Sequence, residues 1–254
     1  MMMKKYEIVK DEKIKHKEKT LYKIRALKDF DDVKKGDLGG YIEDYNNLSQ
    51  GSNCWIYKNA KVYDYAMVCE NARVYEDAEI YGNARVYGYS EVFGHSKIYG
   101  NARVYNNARV FGYSKIYDNA RVYDNSKVYD NSKVFDNAEI FDKAEIYGKA
   151  EVYDGAEIYG NARVYGKARV SRDAIIGKVN CDFDKIIEIQ NSKGRLVTGI
   201  LKDNKIYYSV GCQTNITEEE FIWRIKNTDG GLEKNLHRLE YYKIIDMIKL
   251  YFGK

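Results

Sequence analysis

From Ile56 to Ile176 every sixth residue is Val or Ile, twenty-one positions without a break. With each Val or Ile taken as position 1, position 2 is Tyr or Phe in eighteen of the twenty-one hexads, the exceptions being Cys69, Ser171 and Gly177. Position 5 is Ala or Ser in the first twenty, from Ala60 to Ala174. Positions 3 and 4 hold Gly, Asp, Asn, Lys and similar residues, which suit a corner. A period of six does not fit an α-helix with its 3.6 residues per turn. It fits a short strand and a bend. In Arg103-Val104-Tyr105, alternation turns Val inward and sends Arg and Tyr outward. Asn106 and Asn107 then make the bend, and Ala108 is small enough to fill its inside. Three such sides close a triangular coil of eighteen residues, and about seven coils at the ~4.8 Å inter-strand spacing give a prism roughly 33 Å tall. Helical solenoids need repeats of twenty or more residues and do not match.

This hexad pattern resembles the left-handed parallel β-helix of the hexapeptide-repeat proteins. The predicted fold class is therefore mainly β: a left-handed β-helix over 56–176, an N-terminal β cap over 1–55 and a C-terminal α+β domain over 177–254. The caps cover the open ends of the coil, which are otherwise exposed sheet edges. LYKIRAL (21–27) reads as a strand and GDLGGYI (36–42) as a turn into another. IIEIQ (186–190), RLVTGIL (195–201) and KIYYSVG (205–211) read as three strands. TEEEFIWRIK follows with a capping box, Thr217 with Glu220, opening a helix, and a second amphipathic helix runs near 232–251. The run DFDDVKKGDLGGYIEDYNNLSQGSNCWIYKNAKVYDYA (29–66) resembles the leading segment of the YdcK-like hexapeptide-repeat proteins. GCQTNITEEEFIWRI (211–225) is similar to the small domain that ends phage-encoded members. The resemblance implies a phage or prophage setting, hence the cytoplasm of a bacterial host. It makes a trimer the natural assembly, with a dimer through the terminal domain as the other.

Composition adds less. Net charge is +4, which gives no argument for a long nucleic acid or a membrane surface as partner. No apolar run approaches a membrane span, and MMMKKYEIVK lacks the apolar core of a secretory signal. Cys54, Cys69, Cys181 and Cys212 show no zinc spacing and read as reduced thiols. No cofactor is expected, since there is no P-loop and no G-x-G-x-x-G opening a helix. No metal site is expected either: Asp118, Asp124, Asp130 and Asp136 recur every six residues, so successive ones lie on different sides of the prism and cannot share one ion. Many proteins of the hexapeptide-repeat class are acyltransferases with a catalytic His and a loop leaving the coil. Only His95 lies in this coil, at a corner, and no hexad is interrupted. Cys212 and His237 offer a nucleophile–base pair only if brought together.

The outward charges are sorted. Lys97, Arg103, Arg109, Lys115, Arg121, Lys127 and Lys133 precede seven consecutive position-1 residues, and Glu139, Glu145, Glu151 and Glu157 the next four. Residues eighteen apart share a side. Arg85, Arg103 and Arg121 therefore stack beside Tyr87, Tyr105 and Tyr123, and Lys97, Lys115 and Lys133 stack beside Tyr99, Tyr117 and Phe135. Like charges in register repel. Relief comes from water, corner carboxylates, the Tyr faces, an acidic partner or an anionic ligand. The expected function is a non-catalytic binding protein. It takes an anionic small molecule, with a host-defence nucleotide signal as one candidate (an anti-defence sponge), on Arg85, Arg103, Arg121, Tyr87, Tyr105 and Tyr123. The alternatives are a scaffold or protein-interaction module and, third, an acyltransferase. The extent of Tyr and Phe on all three sides points to a homo-oligomer.

Overall fold

This computed structural model describes residues 4–171, 175–176, 185–190, 196–202, 204–210, 213–227 and 236–254. The repeat forms twenty-one two-residue strands, from Trp55–Ile56 to Ile175–Ile176. Each pairs in parallel with the strands eighteen residues before and after it: Arg103 with Arg85 and Arg121, Val104 with Val86 and Val122. Three sheets result, two of seven strands and one of ten. They are named here by their outward residues. The arginine face runs from Met67–Val68 to Ile175–Ile176, the mixed face from Trp55–Ile56 to Arg163–Val164, and the lysine face from Lys61–Val62 to Arg169–Val170.

Every position-1 residue from Ile56 to Val170 is fully buried, stacked on its equivalent one coil away. Position 5 is buried as well, and where it is Ser the hydroxyl donates to the carbonyl three residues back, as Ser126 does to Tyr123 at 2.7 Å. A buried hydroxyl is thus satisfied without disturbing the stack. The rings at position 2 form three ladders. Tyr87, Tyr105 and Tyr123 stack at 4.9 and 4.8 Å with planes 2° and 5° apart. That spacing is the inter-strand distance itself, so the ladder follows from the coil.

The corners explain the choice of residues at position 3. Nineteen consecutive position-3 residues, Lys58 to Gly166, have φ between +47° and +72°. Gly, Asn and Asp tolerate this left-handed conformation best. Acidic corners add a bond: Glu70 accepts from the Gly88 N–H at 2.9 Å and Asp130 from the Gly148 N–H at 3.1 Å. At Gly88 a Cβ would stand 2.5 Å from the Asn106 backbone nitrogen. Gly88→Val is therefore expected to cost about 2 kcal/mol. Gly88→Asn, whose Cβ meets the same backbone, should still cost less, because Asn tolerates the left-handed conformation that Asn106 holds one coil on. Urea unfolding midpoints of the two variants measure the difference.

The N-terminal cap contains β1 (Tyr6–His16), β2 (Lys19–Ala26) and β3 (Leu38–Ile42). β1 and β2 form an antiparallel hairpin, β2 pairs antiparallel with β3, and β3 pairs in parallel with Lys61–Val62. Sequence reading found β2 and β3 and missed β1, whose YEIVKDEKIKH alternates weakly and stays half exposed. The cap also completes a coil before residue 56. Ile42 pairs with Val62 and Leu48 bridges Val68, twenty residues apart instead of eighteen, so the strict count fails there although the winding continues. Buried Lys5 plugs this end, its Nζ donating to the Cys54 carbonyl at 2.8 Å and to those of Gly51 and Ser52 at 3.3 Å. Burial lowers its pKa, against the pull of Cys54.

The C-terminal domain carries an antiparallel sheet of four strands, Lys185–Gln190, Leu196–Lys202, Lys205–Val210 and Gln213–Thr217. The fourth, polar QTNIT, escaped the sequence reading. Helices α1 (Glu218–Asn227) and α2 (Leu236–Phe252) follow. The expected capping box is present: Thr217 Oγ1 accepts from the Glu220 N–H at 3.2 Å and Glu220 Oε2 from the Thr217 N–H at 2.8 Å. Phe221, Ile225, Tyr241 and Ile248 join Val197 and Tyr208 in a second core. Among the described residues no helix is long and apolar enough to cross a membrane.

Candidate functional site

The structure brings the six expected residues together. Arg85, Arg103 and Arg121 are consecutive partners on the arginine face and are exposed, with the half-buried Tyr87–Tyr105–Tyr123 ladder beside them. The column is not uniform. Arg121 Nη1 donates to Glu139 Oε1 at 2.8 Å, and Tyr123 donates to the other oxygen of the same carboxylate at 3.0 Å. Among the described residues Arg85 and Arg103 have no carboxylate partner. Burial and Glu139 push the Tyr123 phenol far above its ordinary value, so this ladder stays neutral.

The other two faces neutralise themselves more fully. On the mixed face Arg109 pairs with Glu91 at 2.9 Å, and Glu145 takes both Lys127 at 3.0 Å and Arg163 at 3.2 Å. On the lysine face Lys97 pairs with Glu79 at 3.3 Å, and Glu151 takes Lys133 at 2.8 Å and Arg169 at 3.2 Å. Lys115, between Lys97 and Lys133 in register, has no carboxylate partner among the described residues. Exposed pairs of this kind stabilise by less than about 1 kcal/mol each, so their main effect is on the surface potential.

A groove of about 980 Å³ runs along the lysine face. Lys97, Lys115 and Lys133 line it, with Lys61 and Lys149 as further cations and Asp77, Glu79 and Glu151 as its acids. Its rim is a corner column in which His95 stacks on Tyr113 at 4.8 Å with planes 16° apart, both rings exposed. The sequence reading placed the lysine column and His95 separately. It did not connect them, although His95, Tyr113, Asn131 and Lys149 follow one another at the same eighteen-residue spacing. The bulky pair at a corner mostly filled by Asn, Asp or Lys was the available signal. His95 Nδ1 stands 3.8 Å from Asp77 Oδ2.

Glu79 closes one end of the groove and is the best-connected carboxylate on the molecule's described surface. The tip of the β1–β2 hairpin reaches it: His16 Nε2 at 3.2 Å and Lys17 Nζ at 2.9 Å contact Oε2. Tyr63 donates to the same oxygen at 3.2 Å, and Lys17 also lies 4.5 Å from the Tyr81 ring centre. Burial alone would raise the Glu79 carboxyl, but Lys17, Lys97 and His16 outweigh it and hold it at about 2. Lys19 adds a second clasp, to Glu43 at 3.0 Å and Asp64 at 2.8 Å.

The corner aspartates fall as their spacing requires. Asp136 lies between Asp118 and Asp154 in one column, and among the described residues no group of His, Cys, Asp and Glu is arranged to hold a metal ion. Burial and the flanking Asp154 and Asp118 raise the Asp136 carboxyl. Cys54 is buried and Cys69 half buried, both as free thiols. Cys181, Cys212 and the side chain of His237 lie outside the described residues, so the nucleophile–base pair has no geometry to test it.

The family model described as the YdcK beta solenoid repeat matches four segments, residues 78–92, 97–112, 115–131 and 156–172. No curated protein matches the chain.

Proposed function

We propose that this chain, whose coil carries YdcK beta solenoid repeats, is a non-catalytic binding protein that captures an anionic small molecule of the nucleotide class on its lysine face. One observation carries the reading: the groove joins a column of three lysines, the middle one without a carboxylate partner, to an exposed pair of stacked rings. Lysine ammonium groups serve phosphate as point charges, and an aromatic face stacks a base with little regard to its identity. The resemblance of residues 211–225 to the small domain that ends phage-encoded members makes host-defence nucleotide signals the first compounds to titrate. Calorimetry against cyclic and linear nucleotides is expected to give saturable binding that weakens with salt. Lys115→Glu should weaken it at least tenfold with an unchanged circular dichroism spectrum. Absence of binding across the panel would overturn the reading, and acyl-CoA turnover abolished by His95→Ala would replace it with an enzyme. A scaffold is the second reading, favoured by the arginine face.

A further inference from the structure

We infer that the arginine face is a homodimer interface, in which a second copy of the chain packs on it with its coil running in the opposite direction. The argument rests on the order of charges along the three faces. Down the arginine face the residues are Arg85, Arg103 and Arg121, then Glu139 and Glu157. The column is basic in its first half and acidic in its second. A twofold axis lying in the interface, along the strand direction, reverses the coil and keeps the strand direction. Centred between the coils of Arg121 and Glu139, it sets Arg103 opposite Glu157 of the second copy, and Glu157 opposite its Arg103. The same operation lays the aromatic ladder on itself, Tyr105 against Tyr159 and Tyr123 against Phe141. Such an isologous contact uses each pair twice.

Neither other face can do this without setting a pair of like charges together. Reversal of the lysine face sets Lys61 on Arg169 and Glu79 on Glu151. Reversal of the mixed face sets Arg73 on Arg163 and Glu91 on Glu145. About these midpoints an antiparallel partner meets its own sign; moved by half a coil, opposite charges pair, but Arg109 then meets its own copy and Lys115 meets Lys133.

The pairing within the chain points the same way. On the arginine face the only carboxylate pair among the described residues is Arg121 with Glu139, at the junction of the two halves. Arg85 and Arg103 on one side, and Glu157 on the other, have no partner of opposite charge within the described residues. A second copy supplies the missing one to Arg103 and Glu157, while Arg85 comes to face Ile175. The half-buried rings beside them carry a large contact area at low entropic cost, and each Tyr keeps a hydroxyl for the rim. This assembly leaves the lysine-face groove open, so it stands or falls apart from the ligand proposal.

A charge exchange tests it. Sedimentation equilibrium of the full chain is expected to give twice the chain mass. Arg103→Glu and Glu157→Arg, each placing like charges together twice per dimer, should each raise the dimer dissociation constant about a hundredfold. The doubly exchanged chain, with both substitutions, should recover the dimer, which a variant that merely misfolds cannot do. Arg109→Glu on the mixed face should leave the dimer intact. A monomeric or trimeric wild-type chain, or single exchanges without effect, would overturn the inference, as would a double exchange that stays monomeric.

Discussion

The substitution Ile116→Asp is expected to abolish folding of the coil. Ile116 is fully buried and stacks between Ile98 and Val134. A carboxylate there would lie in the apolar interior with no cation in reach, a cost of several kcal/mol that a single domain cannot absorb. The milder Ile116→Ala should cost about 2–5 kcal/mol, since it removes side-chain volume from a stack held in place by the coils on either side. In a solenoid each repeat is stabilised by its neighbours, so the loss spreads to both. Lys115→Ala, one residue away and pointing outward, should change stability by less than about 0.5 kcal/mol. Far-ultraviolet circular dichroism and urea titration of the three variants measure this contrast. A folded Ile116→Asp protein would contradict the packing described here.

The second large effect is expected at Glu79. Its carboxyl titrates at about 2 in the folded chain against a reference of 4.5, and its side chain is only 12 % exposed. A depressed carboxylate pKa contributes stability that is fully present above the unfolded value and is lost as pH falls through the folded one. The difference corresponds to about 3 kcal/mol. Glu79→Gln should therefore destabilise the clasp between the β1–β2 hairpin and the coil by that order at pH 7. The gap between wild type and variant should hold down to about pH 4.5 and close between there and pH 2. Amide exchange in Tyr6–His16 and Lys19–Ala26 reports release of the hairpin, and Ile116 in the coil serves as the unaffected reference. A gap that persists below pH 2 would show that Glu79 acts through packing and not through its charge.

The two expectations differ in how far the sequence alone supports them. Ile116 is marked as core by its place in the hexad series before any coordinates are considered. Glu79 is not: its hexad resembles the others, and its weight comes from His16 and Lys17, which lie some sixty residues earlier. The same divide runs through the candidate sites. The Arg85–Arg103–Arg121 column and its Tyr ladder follow from counting by eighteen, and the structure places them so. The neutralisation of Arg121 by Glu139 follows the same count, since Glu139 is the one carboxylate eighteen residues from any of the three arginines. The groove rimmed by His95 and Tyr113 is instead a matter of depth, which a linear pattern does not carry.

By itself, then, the sequence determined the coil: a strict period of six leaves only a strand-and-corner winding, and the burial of Val, Ile, Ala and Ser follows from alternation. It also determined the position-3 corners in kind, through Gly, Asn and Asp. The tertiary structure decided the rest. It added β1, whose charged alternation gains strand pairing only when β2 lies beside it, and the strand Gln213–Thr217, whose polar residues are held by their neighbour. It converted the eighteen-residue count to twenty in the cap, because two extra residues lie between Leu48 and Ile56. And it brought the tip of the β1–β2 hairpin to Glu79, adding His16 and Lys17 to the charges on the lysine face. Local periodicity fixes backbone geometry, whereas ion pairs between long side chains depend on distances across coils and on segments remote in the chain.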